Sequence, residues 1–248
     1  VRQISPEEMR SWILFEDERL FVLNKPGDIV CHPSKDGPWS SLVGAAREYL
    51  GLPTVHLIFR LDRETSGVVV LAKDAITGRS LQMAAQERRY RKIYHAILTG
   101  ELATETVVDK PLGPDFSGRV SVKSCVVPAG QGQNAVTRYT PLAVGNGFTL
   151  VRVETETGRK HQIRAHAQWL GLPLVGDKIY GPDQQLFLEF IETGWTSALA
   201  EKLLLPRQAL HCTEIDLTLA RETHIFRAPL PLDLREFAAE KMGFVGLV

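Results

Sequence analysis

Short apolar, β-branched runs recur along this chain with too few helices between them for a regular βαβα alternation. Residues 19–24, 29–32, 56–61, 68–73, 92–98, 135–141, 148–155, 209–220 and 224–228 read as strands, many of them bounded by Gly, Pro or Asp turns. Helices are expected over 40–50, with Ser41 as cap and Gly51 and Pro53 as stop, and over 74–89 behind Asp74. Leu81, Met83 and Ala84 are the inward residues expected of the second. Further helices are expected over 161–170, 187–204 and 232–241. This order specifies an α+β fold with a mixed, largely antiparallel sheet rather than a doubly wound one. The irregular stretch 101–133 contains a hairpin, and its Gly- and Pro-rich part, 111–133, reads as an exposed arm.

A chain of 248 residues makes one large domain or two closely joined lobes. Lys and Arg total 29, as do Asp and Glu, which excludes a uniformly basic binder but leaves room for a local basic surface. Cys31, Cys125 and Cys212 are odd in number and have no CxxC spacing. A zinc ribbon, a redox dithiol and a secreted disulfide framework are all disfavoured, and a reducing cytoplasm is expected. Residues 1–14 carry Arg2, Glu7, Glu8 and Arg10 without the apolar core of a leader. No run approaches the roughly 18 apolar residues of a membrane helix, so no membrane contact is expected. HExxH, a P-loop Lys and a GxGxxG after a strand are absent, and no metal or cofactor is expected.

Three segments carry residues suited to chemistry. Arg60-Leu61-Asp62-Arg63-Glu64-Thr65-Ser66-Gly67 sets a carboxylate at a strand end, between two stiff runs that would hold it on a rigid scaffold. The same loop also fits a hairpin whose Asp bonds its own backbone. Thr157-Gly158-Arg159-Lys160-His161-Gln162-Ile163-Arg164 crowds cations at a helix start, against the macrodipole. A phosphate or a carboxylate would compensate them, with Gln162 and Arg164 turned into a cleft; a solvated basic turn is the alternative. Arg88-Arg89-Tyr90-Arg91-Lys92-Ile93-Tyr94-His95 interleaves cations with aromatics, as nucleic-acid surfaces do, or is an exposed helix end beside a half-buried Tyr. Between Arg60 and Lys92 cations outnumber anions eight to four in a neutral protein.

Taken in order, FVLNKPGDIVCHP, HLIFRLDRETSGVVVLAKD, RKIYHAILTG, TGRKHQIRAHAQWLGLPLVGDKIYG and RQALHCTEIDL resemble the motifs of the RluA branch of the RNA pseudouridine synthases, nearly end to end. The resemblance implies a single catalytic domain over 1–248 with a long bent mixed sheet, flanking helices and two halves around a central cleft. It implies an isomerase converting uridine to pseudouridine in structured RNA, rRNA or tRNA, without a cofactor. By the same resemblance Asp62 is the catalytic aspartate, Tyr94 the tyrosine that stacks on the target base, and Arg164 the ion-pair partner of Asp62. Arg60 would guide the flipped nucleotide. Arg63, Arg88, Arg89, Lys92, Arg159, Lys160, His161 and Gln162 are the other candidate RNA contacts. Phe59 departs from the family, which usually has His there, and no S4-type RNA-binding domain is expected. RNA is the expected partner, and the chain is expected to be monomeric. A binder of this fold without catalysis, and a glycosidase built on Asp62 and a facing carboxylate, are the competing readings.

Overall fold

The computed structural model describes residues 2–32, 35–116 and 120–244. Along the chain the elements are α1 (Pro6–Ser11), β1 (Ile13–Glu16), β2 (Leu20–Lys25), α2 (Leu42–Leu50), β3 (His56–Leu57), β4 (Ser66–Ala72), α3 (Ala75–Gln86) and β5 (Arg91–Thr99). Then come β6 (Thr106–Asp109), β7 (Leu112–Pro114), β8 (Ser124–Val126), β9 (Val136–Gly145), β10 (Phe148–Thr155) and α4 (Gln162–Trp169). The chain ends with α5 (Gln185–Thr193), α6 (Ser197–Leu203), β11 (Leu210–Asp216), β12 (Ile225–Arg227) and α7 (Leu232–Met242). The fold is α+β, and the pairings given below are antiparallel.

The chain divides into two units, Val1–Lys92 with Cys212–Pro229, and Ile93–His211 with Leu230–Val248. In the first, β2 pairs with β1 and β4, β3 adds to β4, and β12 pairs with β11. Every residue of β4 is buried, as its unbroken SGVVVLA run of mostly apolar residues requires of a strand covered on both faces. Ser41 caps α2 by accepting from the Gly44 amide, and Asp74 caps α3 by accepting from Ile76 and Thr77. In the second unit β10 lies between β5 and β9, and β6 pairs with β9. Ile97, Leu150, Val175, Leu234 and Phe237 lie in one of its core clusters.

Several expectations need correction. Residues 29–32 form no strand, because their carbonyls serve other partners: Ile29 accepts from Lys25, and Val30 and Cys31 accept from the α2 amides of Leu42 and Val43. The 56–61 run is a strand only at His56–Leu57. The 187–204 helix is broken into α5 and α6 by Gly194 at φ +73°. The 209–220 strand ends at Asp216 and turns into a short 3₁₀ helix. Met83 is largely exposed, whereas Leu81 and Ala84 are buried. The 101–133 hairpin exists as β7 and β8, but the arm is docked rather than free. Leu112 and Val120 are buried with Ala165, Ile179 and Tyr180, and the Tyr180 hydroxyl accepts from the Ser124 amide at 2.8 Å. The middle of that arm, 117–119, lies outside the described residues.

Candidate active site

In the first unit, the loop that carries Asp62 is tied down through its backbone. Lys25, the last residue of β2, is fully buried. Its Nζ donates to the carbonyls of Pro26 and Ile29, each at 2.9 Å, and of Arg63 at 3.0 Å. A buried ammonium is tolerated when its protons are bonded in this way. Burial pushes the Cys31 thiol up, so it stays protonated and donates from Sγ to the Leu61 carbonyl at 3.4 Å. The Asp62 carbonyl accepts from the Thr65 amide at 3.1 Å. Three successive carbonyls, at 61, 62 and 63, are therefore held, while the Asp62 side chain is half-buried. Gly67 closes the loop at φ +115°, where a Cβ would stand 2.2 Å from the Cys212 carbonyl; only glycine fits.

Around that loop the candidate cations differ in what they touch. Arg60 is exposed. Arg63 Nε lies 2.7 Å from Asp28 Oδ1, an exposed pair worth little. Arg88 is exposed at φ +58° where α3 ends, and Arg89 pairs with Glu87 at 2.7 Å. Lys92 is not spread on the surface. Its ammonium sits 4.2 Å from the Phe59 ring and 5.2 Å from the Tyr90 ring, and those rings are 4.4 Å apart. Desolvation lowers its pKa from the usual 10.5 to about 8.

The second unit holds Tyr94 and Arg164. Tyr94 is buried in β5, across from Val153 of β10. Arg164, also buried, makes a two-pronged ion pair: Nε to Asp177 Oδ2 at 2.6 Å and Nη2 to Oδ1 at 2.8 Å. Its Cζ lies 4.9 Å from the centre of the Tyr180 ring. Asp177 Oδ1 also accepts the amides of Ile179 and Tyr180, each at 3.0 Å. Burial pushes the Asp177 carboxyl up, but the guanidinium and these amides outweigh it and hold the group below its ordinary range.

The start of α4 is built by Gln162, and here the expectation of an RNA contact is corrected. Gln162 is buried, and its amide is fully used. Oε1 accepts from Thr157 Oγ1 at 2.7 Å and the Arg159 amide at 3.0 Å. Nε2 donates to the Val136 carbonyl at 2.9 Å and to Thr137 Oγ1 at 3.0 Å. The side chain staples the turn to β9 and has no capacity left for a ligand. The Tyr139 hydroxyl secures the same helix by donating to the Ile163 carbonyl at 2.6 Å. His161 adopts φ +55°, with Nδ1 3.0 Å from the Tyr180 hydroxyl. Arg159 Nε donates to the Asn134 carbonyl at 3.1 Å, and Lys160 is exposed. Among the described residues no three His, Cys, Asp or Glu side chains group as a metal site would, and no helix is long and apolar enough to cross a membrane.

Sequence reasoning missed Lys25, Cys31, Asp177 and Tyr180 as parts of this framework. A faint signal existed for Lys25 and Asp177, each a charge that closes an apolar run: LFVLNK and LPLVGD.

A family model described as RNA pseudouridylate synthase matches residues 19–169. The ribosomal large subunit pseudouridine synthase D of Nitrosomonas europaea is 34% identical over 232 residues, covering 90% of this chain and 62% of that protein. The uncharacterized RNA pseudouridine synthase YjbO of Bacillus subtilis is 35% identical, covering 90% of this chain and 73% of that protein. The chain spans about three-fifths of the length of the synthase D proteins of Nitrosomonas europaea and Neisseria meningitidis. Among solved structures, human RNA pseudouridylate synthase domain containing 4 superposes with a TM-score of 0.72 at 27% identity, covering 92% of each chain.

Proposed function

We propose an activity from one premise: this chain belongs to the RNA pseudouridylate synthase family. The activity is isomerisation of specific uridines to pseudouridine in structured RNA, rRNA or tRNA. The N1–C1′ bond breaks, the uracil turns, and a C5–C1′ bond forms; a proton leaves C5 and one is gained at N1. No electrons are exchanged and no group is lost, so side chains suffice.

Asp62 is the catalytic residue in this reading. Its carboxylate acts at the ribose, as nucleophile at C1′ or as base on the sugar, and both roles need it ionised. Arg164 is its ion-pair partner. Asp177 grips the Nε and Nη2 side of the guanidinium and fixes its plane. A cation beside Asp62 would lower its pKa by about 1–3 units. Tyr94 stacks on the extruded base and is the candidate for the proton at C5. Arg60 takes the place of the nucleotide that leaves the stack, a step that costs a few kcal/mol. On this reading the enzyme acts as a monomer in the cytoplasm, a setting that suits three cysteines held as thiols rather than disulfides.

The observation that carries the proposal is the Asp62 loop. Three consecutive carbonyls are held by Lys25, Cys31 and Thr65 while the carboxylate itself is left half-exposed. That is how a scaffold presents a reacting group. The test is base-resolution pseudouridine mapping of total RNA from cells with the gene, without it, and with Asp62→Asn. The expected result is one or a few uridines modified only with the wild-type gene. Near-normal turnover by a folded Asp62→Asn protein would sink the assignment.

A further inference from the structure

We propose that the cavity between the β7–β8 hairpin and the turn before α4 is a binding site for a phosphodiester of the RNA backbone. The inference rests on the RNA reading above and adds to it a wall, Lys123 with its hairpin, that neither the motifs nor the comparisons assign. The cavity measures about 470 Å³. Arg159 and Lys160 line one side; Lys123 and the hydroxyl residues Ser121 and Ser124 line the other. Among the described residues no carboxylate lines it.

The charge arrangement is incomplete without an anion. Arg159 and Lys160 stand just before α4, where the helix dipole is already positive. The αL residue His161 occupies the cap position and gives no side-chain cap. Among the described residues neither Arg159 nor Lys160 forms an ion pair. Lys123 has an ion-pair partner, Asp115, at 3.6 Å, but that carboxylate is not among the lining residues. The cations are also placed. Arg159 is oriented by its Nε bond to the Asn134 carbonyl. The Lys123 side chain is only 11% exposed and lies 5.6 Å from the Tyr180 ring. Tyr180 in turn holds the hairpin through the Ser124 amide. Two ammonium groups, a guanidinium fork and two hydroxyls lining one cavity fit a ligand with several acceptor oxygens and negative charge. A phosphodiester has both.

The experiment uses the full chain and a fluorescein-labelled 20-nucleotide oligouridylate, followed by anisotropy over a series of KCl concentrations. The wild-type dissociation constant should rise steeply with salt. Lys160→Ala should weaken binding about 3- to 10-fold and reduce the log–log salt slope by about 0.7, the value for one phosphate contact in a single strand. Lys123→Ala with Lys160→Ala should reduce the slope further, and Lys160→Glu more than Lys160→Ala. Lys241→Ala, an exposed cation on α7, is the control and should leave the slope as it is. Unchanged slopes in Lys160→Ala and Lys160→Glu, with folding verified by circular dichroism, would overturn the site while the RNA reading stood. Poly-glutamate binding that is lost in Lys160→Glu while oligouridylate binding persists would also overturn it, in favour of an acidic protein. A wild-type chain that neither binds the oligonucleotide nor forms pseudouridine in RNA would instead sink the proposed function itself.

Discussion

The Asp62 loop and the Arg164 helix hold their charged residues by opposite means. Around Asp62 the hold is on the backbone: a buried cation and a buried thiol bind the carbonyls on either side of it. Around Arg164 the charge itself is gripped, by a carboxylate with two prongs, and that carboxylate is in turn bonded to two amides. A residue that must change its bonding during a reaction suits the first arrangement. A residue that must supply a fixed field suits the second.

The sharpest way to break this contrast is Asp177→Asn. It takes from the buried Arg164 guanidinium the carboxylate that grips it with two prongs, and breaking a buried pair costs about 3–5 kcal/mol. Urea unfolding should show that loss at neutral pH. The wild-type Asp177 contribution is complete above the ordinary carboxylate pKa of 3.8 and is lost as the pH falls through the lower folded-state value. The gap between the two proteins should therefore narrow in acid. If the variant is as stable as wild type at pH 7, Asp177 is not the anchor.

Lys25→Met tests the other arrangement. The methionine fills the space but abandons three carbonyls, of which hydrogen bonds to a charged donor are worth about 1.5–3 kcal/mol each. Relief from burying the ammonium offsets part of this, so a net loss of about 2–3 kcal/mol is expected. The rate of isomerisation per folded molecule should fall as well, because the loop loses its hold at Arg63. A variant with lowered stability and wild-type turnover would show that the anchorage serves only the fold.

Tyr94→Phe should have a smaller effect on stability, since the ring and its burial in β5 remain. The hydroxyl goes, and single-turnover rates should drop about 10²- to 10⁴-fold if it handles a proton. RNA affinity, rate and melting temperature measured on one preparation decide between this role and that of a core tyrosine, which predicts a lower melting temperature and an unchanged rate.

The smallest expected effect concerns Lys92. Its folded-state pKa, about 8, lies below the ordinary 10.5. Below pH 8 both folded and unfolded chains carry the proton, and the desolvation cost is complete. Between pH 8 and 10.5 the folded chain releases the proton first, so stability rises with pH. Wild type should therefore gain roughly 2 kcal/mol on Lys92→Met between pH 7 and 10. A pH-independent difference would mean that the ammonium is hydrated rather than seated on Phe59 and Tyr90.

Much of this fold is legible in the sequence because its signals are local. The caps at Ser41 and Asp74 and the strands β2, β4, β5 and β10 follow from neighbouring residues alone. Errors arise where a backbone group is claimed from far away. The 29–32 run looks like a strand, yet the carbonyls of Ile29, Val30 and Cys31 belong to Lys25 and α2. Ile58 makes one ladder bond, to Val70, before the chain leaves the sheet to carry Asp62. Gln162 reads as a ligand residue because its motif is polar, but its partners on β9 are about 25 residues away. Asp177 is only faintly legible as an anchor for the same reason: the folded chain alone sets it against Arg164.

The burial of Lys25 also makes the protein its own reporter. An amine-acylating reagent meets exposed lysines such as Lys160 and Lys241 at once, but reaches the Lys25 nitrogen only when the carbonyls of Pro26, Ile29 and Arg63 let go. With reagent dilute enough for the loop to re-close between encounters, the acylation rate at Lys25, read by mass spectrometry, gives the free energy of opening the Asp62 loop. A bound ligand that clamps the loop would slow that labelling in proportion, without any tag or dye.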